Sequence, residues 1–170
     1  GIRVPLMVRW PGVVKPGTQC DEPVIHVDLY PTLLDAVQLE RPDNYLLDGV
    51  SILPSLKNPK TSLKRDAIYW HFPGYTFVGF EGGPQSVMRS GPWKLHVQQR
   101  EPVNYGRVVH LEKPELYHLE KDISEAYEVA DEHPEVVASL LQMLEQHKEH
   151  TADSLPEQLG ARIPNFKYRR

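Results

Sequence analysis

The chain is poor in the residues that staple or activate small domains. One cysteine, Cys20, stands among 170 residues, which excludes an internal disulfide and any cysteine-rich zinc site. Asp21 and Glu22 follow it, and their charges work against the thiolate that a nucleophile needs. Long apolar runs are absent. Proline or charge breaks each one, so the sequence contains no membrane-spanning helix. Basic charge is not in excess, with 19 Lys and Arg against 23 Asp and Glu. With no basic stripe, the chain does not read as a nucleic-acid binder. The catalytic fingerprints are missing too: no Gly-x-Ser-x-Gly elbow, no Walker loop and no dinucleotide-binding glycine motif. Glu81-Gly82-Gly83-Pro84 lacks the strand-to-helix setting of a phosphate cradle and reads as a loop. Glycine is scarce beside proline, 11 against 16, a balance that favours turns and short segments over a long helical bundle.

What is present is the composition of a soluble globular protein, 40% hydrophobic and 25% charged, with a size suited to one domain or one and a part. There is no internal repeat and no low-complexity stretch. Gly1 is preceded by no Met, and no signal peptide opens the chain. Ile2 to Trp10 reads as a strand from its second residue, bent or at an edge because Pro5 cannot donate to a ladder. A chain that opens inside a strand is expected to have lost sequence upstream. Pro11-Gly12 and Lys15-Pro16-Gly17 mark turns. Asp28 is placed to cap a helix over Leu29 to Val37, with Pro31 in the first turn and Leu29, Leu33 and Ala36 or Val37 as its apolar face. Residues 40–62 read as a polar surface crossing, with a short helix from Ser51. The loop Lys57-Asn58-Pro59-Lys60 is the expected boundary between two parts, 1–60 and 61–170.

The second part changes character. Ala67 to Phe72, Gln85 to Arg89, Trp93 to Val97 and Glu115 to Leu119 are rich in strand formers. Ser90-Gly91-Pro92 makes the middle pair an antiparallel hairpin. Val108 to Leu111 is a candidate further strand. Pro134 and Glu135 open a helix in which Val137, Leu140, Leu141 and Leu144 recur at helical spacing. The physical picture is a small antiparallel sheet with one long amphipathic helix laid on it.

Eight histidines raise a metal or acid–base reading. His147 and His150 lie three apart on the last helix, but no metallopeptidase pattern accompanies them, and they read as solvated helix-end residues. A histidine-based metal hydrolase is therefore the weakest of the functional readings. His26-Val27-Asp28 has a ligand-pair spacing, yet reads better as a cap with a polar neighbour. Tyr69-Trp70-His71-Phe72-Pro73-Gly74-Tyr75 puts aromatics and a histidine on a strand and its exit turn. Strand alternation assigns Trp70 and Phe72 to the core and leaves His71 and Tyr75 as candidate site residues on a rim suited to a sugar ring.

Six segments together resemble one family. They are Gly1 to Gly12, Val27-Asp28-Leu29-Tyr30-Pro31-Thr32-Leu33-Leu34, Leu47-Asp48-Gly49-Val50-Ser51, Tyr69-Trp70-His71-Phe72-Pro73, Met88-Arg89-Ser90-Gly91-Pro92-Trp93-Lys94-Leu95 and Glu115-Leu116-Tyr117-His118-Leu119. In order and spacing they resemble the C-terminal portion of a type I sulfatase, in the arylsulfatase-like branch that acts on sulfated carbohydrates. The resemblance implies an α/β fold class, as an α+β fragment. Residues 1–60 would be the end of an alkaline-phosphatase-like mixed sheet, and residues 61–170 a small four-stranded antiparallel sheet packed by a long C-terminal helix.

It implies sulfuric ester hydrolysis by a formylglycine hydrate, with a calcium ion neutralising the sulfate oxygens. The chain departs from that chemistry. Cys20 is followed by Asp21-Glu22-Pro23, so the Cys/Ser-x-Pro/Ala-x-Arg modification motif is missing, as are the family's aspartate-rich calcium ligands. No catalytic and no metal residue carries over, and neither cofactor is expected on this chain. Substrate contact is expected from Arg3, which closely follows the position of the family's sulfate-binding lysine, and from His71 and Tyr75. The implied partners are the missing N-terminal sulfatase region and a sulfated carbohydrate, and the implied location of the complete enzyme is periplasmic or secreted. The rival reading is a free-standing, non-catalytic module that binds glycan or protein. The apolar surface of Ile2 to Val37 separates the two, since a self-contained module must cover it.

Overall fold

The structure is a computed structural model and describes residues 2–41, 47–72, 85–98 and 113–153. It forms two compact units, Gly1–Arg65 and Asp66–Arg170.

In the first unit, a 3-10 turn at His26–Asp28 runs into α1 (Leu29–Ala36), and α2 (Leu53–Lys57) follows. Pro31 and Pro54 both fall in first turns, where a backbone donor would lack a helical partner anyway. Gln38, at φ +58°, takes the left-handed position that ends α1, and the Leu39 N–H reaches back to the Leu34 carbonyl at 3.0 Å.

The structure departs from expectation at the start of this unit. Ile2 to Trp10 is not a strand. Side chains that favour strands make one only where a neighbouring strand supplies the hydrogen bonds, and no ladder joins this segment among the described residues. Its side chains lie open, Met7 at 90% exposure. The turn that ends it forms as expected, the Trp10 carbonyl accepting from the Val13 and Val14 N–H groups with Gly12 at φ +83°. The apolar face expected of α1 is not the side that packs within the unit. Leu29, Leu33 and Val37 are exposed, while Pro31 and Thr32 are buried.

The second unit is a four-stranded antiparallel sheet of β1 (Ile68–Phe72), β2 (Gln85–Ser90), β3 (Trp93–Gln98) and β4 (Glu115–His118), in the order β1-β2-β3-β4. Gly91-Pro92 joins β2 to β3, with Ser90 opposite Trp93. Gly91 sits at φ +54°; the ring of Pro92 fixes a negative φ at the next position, which together select the type II′ hairpin turn. Met88 lies opposite Leu95, and Leu95 opposite Leu116. These three form the buried stripe on which Leu140 and Leu144 of α3 (Pro134–Asp153) pack, with Val137 and Leu141 partly buried beside them. The outer edge of β4 is closed by residues from the β4–α3 connection. Leu116 donates to Glu128 Oε1 at 3.1 Å, and its carbonyl accepts from the Val129 N–H at 2.9 Å.

Register reverses the expected parity of β1. Tyr69 stands opposite Met88 and so shares the face that α3 covers, whereas Trp70 stands opposite Val87 on the other face. Trp70 is therefore not part of the core beneath α3. His71, opposite Ser86, falls on the α3 side. Tyr75 and Val108 to Leu111 lie outside the described residues.

Leu95→Ala removes the centre of the stripe and is expected to cost about 2–5 kcal/mol. Urea denaturation measures this, and an unchanged midpoint would contradict the assignment of the core.

Candidate functional site

Two buried polar clusters stand out, one in each unit. The first is built on Asp28. It ends the 3-10 turn, and its carboxylate turns back into the unit. Oδ2 accepts from the Ile25 N–H at 2.8 Å, and Oδ1 from the Val50 N–H at 3.0 Å. Arg65 closes the group with a two-pronged pair, Nη1 to Oδ1 at 3.1 Å and Nη2 to Oδ2 at 2.6 Å. Asp28 is wholly buried. The expected helix cap does not form, since the carboxylate makes no cap bond to α1. Arg65 outcompetes the weaker neutral donors at the helix start.

Thr32, one turn on, locks the next stretch. Its hydroxyl donates to the Asp28 carbonyl at 2.6 Å and accepts from the Ile52 N–H at 2.9 Å. Gly49 lies so close to the preceding backbone that a Cβ there would fall on the Val27 carbonyl and 2.8 Å from the Asp28 nitrogen. Asp28, Thr32 and Gly49 thus bind residues 25–32 to 49–52.

The second cluster lies on the sheet face turned away from α3. Lys94 and His96 of β3 converge on Glu125 of the β4–α3 connection. Lys94 Nζ donates to both carboxylate oxygens at 2.6 Å, and His96 Nε2 lies 3.1 Å from Oε2. Burial, and then the charge of Lys94, hold the His96 imidazole below its ordinary value of 6.5. Burial works to raise Glu125, but the bonds from Lys94 and His96 outweigh it and leave the carboxyl below 4.5. Beside them Tyr117 donates to Glu115 Oε2 at 3.2 Å, and burial together with Glu115 pushes its phenol up to about 12.

The histidines are dispersed rather than gathered. His147 is not simply solvated: it stacks on Tyr69 with ring centroids 3.8 Å apart and planes 5° from parallel. His118 and His133 meet Trp93 edge-on. His26 and His150 are exposed. Among the described residues no three His, Cys, Asp or Glu side chains come together as metal ligands. The fully buried carboxylate, Asp28, already spends both oxygens on Arg65 and two backbone donors. The donor set among the described residues does not fit a calcium site.

Of the residues expected to touch substrate, Arg3 is exposed in the first unit, and His71 is exposed on β1 with Nδ1 2.9 Å from Ser86 Oγ. Tyr75 lies outside the described residues. Sequence reasoning passed over both buried clusters. Arg65 and Glu125 sit far along the chain from the groups they neutralise, in segments without periodicity.

Comparison with known proteins bears on the whole arrangement. Residues 1–150 match the family model described as N-sulphoglucosamine sulphohydrolase, C-terminal. A sulfatase of Formosa agariphila is 31% identical over 140 residues, covering 79% of this chain and 24% of that protein. Arylsulfatase K of Mus musculus is 32% identical over 147 residues, 84% of this chain and 24% of its own length. Among solved structures, one from a Bacteroides thetaiotaomicron locus for the metabolism of multiple glycosaminoglycans superposes with a TM-score of 0.62 at 27% identity, over 83% of this chain and 28% of that one. The chain thus spans about a quarter of the length of the curated relatives it matches.

Asp28→Asn leaves Arg65 buried without its counter-charge, at an expected cost of about 3–5 kcal/mol. Gly49→Ala is expected to disrupt the same region, since backbone rather than a flexible side chain stands in the way. Chemical denaturation of both variants checks the pair, and wild-type stability in either would refute the role given to the Asp28 cluster.

Proposed function

Because this chain belongs to the sulfatase family, through the domain that closes N-sulphoglucosamine sulphohydrolase, we propose that it is the C-terminal part of an enzyme that hydrolyses sulfate esters of sulfated carbohydrates. The observation that carries the proposal is the apolar surface of the first unit. Ile2, Val4, Leu6, Met7 and Val8, together with Leu29 and Leu33 of α1 and Val37 just after it, are all exposed. So many exposed apolar side chains within one small unit are uncommon on a free-standing domain. Relatives more than three times as long supply what would cover it, namely the upstream region of a sulfatase. A free-standing binding module does not account for this surface.

In this reading the chain completes the fold and supplies part of the substrate rim. The family's formylglycine and calcium are assigned to the upstream region, since Cys20 lacks the modification motif and the described residues bring no set of ligands together. Arg3, His71 and Tyr75 are the residues proposed to meet substrate. A guanidinium suits a sulfate oxygen. An imidazole and a phenol at a strand exit suit sugar hydroxyls. The glycosaminoglycan context of the Bacteroides protein supports a sulfated glycan as the substrate class.

The full-length polypeptide is expected to release inorganic sulfate from sulfated glycosaminoglycan oligosaccharides, and residues 1–170 alone to release none, because a nucleophile and a metal supply barrier lowering that a rim cannot replace. Sulfate release by residues 1–170, or none by the full-length protein on any sulfated saccharide, would refute the proposal. His71→Ala in the full-length enzyme is expected to raise KM about tenfold, the loss of roughly one hydrogen bond to a charged or polar group, and an unchanged KM removes His71 from the rim.

A further inference from the structure

Residues 119–129 connect β4 to the short 3-10 turn before α3. Backbone bonds fasten both ends. The Leu119 N–H donates to the Pro92 carbonyl at 2.7 Å, and the Val129 N–H to the Leu116 carbonyl at 2.9 Å. Between these anchors the Lys121 and Asp122 N–H groups donate to the His118 carbonyl at the end of β4, at 3.1 and 2.8 Å, and the remainder of the connection is bonded largely to itself. Asp122 accepts from the Ser124 hydroxyl and the Tyr127 N–H, each at 2.8 Å, and its carbonyl accepts from the Glu125 N–H at 3.3 Å. Among the described residues, the side-chain bonds that tie 120–127 to the sheet are those of Glu125 to Lys94 and His96.

Glu125 sits at φ +57°, in the left-handed region that a residue with a Cβ enters at a cost. Such a conformation persists where the surroundings over-determine it. Here the surroundings are the buried Lys94 and the half-buried His96 on one strand. A single carboxylate serves both, and no second acid of the connection is bonded to them.

We propose that Lys94, His96 and Glu125 form an acid-released clasp, which holds residues 120–127 against the sheet at neutral pH and frees them as the pH falls while the core beneath α3 stays folded. The proposal is independent of the sulfate chemistry. The groups that face the clasp are Arg89 of β2, opposite Lys94 in register, with its Nε bonded to the Gly91 carbonyl; Glu115 and Tyr117 of β4; and Glu128 of the connection. Tyr117 stays neutral across the range. The charge of Glu115 acts on His96 against that of Lys94, toward the protonated form.

The two titrations act in the same direction. In the clasp His96 lies below 6.5, for burial and Lys94 both oppose its charged form. Freed, it returns to about 6.5, so closure is fully favoured above that pH and weakens as the pH falls toward the clasped value. Glu125 lies below 4.5 in the clasp, so a second loss begins below that pH. Release therefore comes in two stages.

Hydrogen exchange read by mass spectrometry on the full-length protein, between pH 7.5 and 4 and corrected for the intrinsic pH dependence of exchange, tests the clasp. Peptides covering 120–127 are expected to lose protection several-fold in each stage, while peptides covering Leu95 and Leu116 keep theirs. His96→Gln should abolish the upper stage and leave the lower. Glu125→Gln should leave 120–127 weakly protected and flat across the range. If Glu125→Gln fails to fold, His96→Gln decides alone. Protection of 120–127 that tracks the core, or an upper stage that survives His96→Gln, overturns the proposal.

Discussion

A carboxylate with no access to water has to be neutralised where it stands, and Asp28 imposes that demand on the first unit. Left alone, such a charge is driven back to solvent or to its protonated form. Arg65 and two backbone donors meet the demand together, and in doing so they fix where three separated stretches of chain must lie. The Ile25 and Val50 amides are drawn to the same group, Gly49 must lack a side chain for the second stretch to approach, and Thr32 repeats the linkage one helical turn later. The ordered sequence motifs Val27 to Leu34 and Leu47 to Ser51 are thus two halves of one bonded unit.

That arrangement also decides which side of α1 faces the protein. With Asp28, Pro31 and Thr32 turned inward, Leu29, Leu33 and Val37 are turned outward, and the Ile2 to Val8 segment adds more apolar surface without a strand partner. The polar knot leaves an apolar face outside. In a family whose matched members are more than three times as long, such a face fits the proposal that this chain is one segment of a larger domain. The second unit has no such debt. Its sheet and α3 enclose a core of their own, with Met88, Leu95, Leu116, Leu140 and Leu144 buried together.

Legibility in the sequence followed the range of the forces involved. The Gly91-Pro92 hairpin and the helix at Pro134 were readable because turn chemistry and helical period act between near neighbours. The face of β1 was not, because alternation separates Tyr69 and His71 from Trp70 without saying which set meets the helix; only pairing with Met88 decides that. Ile2 to Trp10 has the residues of a strand, but a strand is a property of two segments. Asp28 stands where a helix cap stands, and Arg65, its partner 37 residues on, gave no local sign. Lys94 and Glu125 were hidden in the same way. The family resemblance escaped this limit because it rested on several motifs in fixed order rather than on any one side chain's neighbours.

The central claim is that the apolar face of the first unit is interior surface in the whole protein. Met7 reports on it directly, being 90% exposed here while Met88 is fully buried. Oxidation of the full-length protein by peroxide, followed residue by residue by mass spectrometry, compares the two. The account predicts that Met7 is oxidised nearly as slowly as Met88. Rapid oxidation of Met7, at the rate of a methionine in an unstructured peptide, would contradict it.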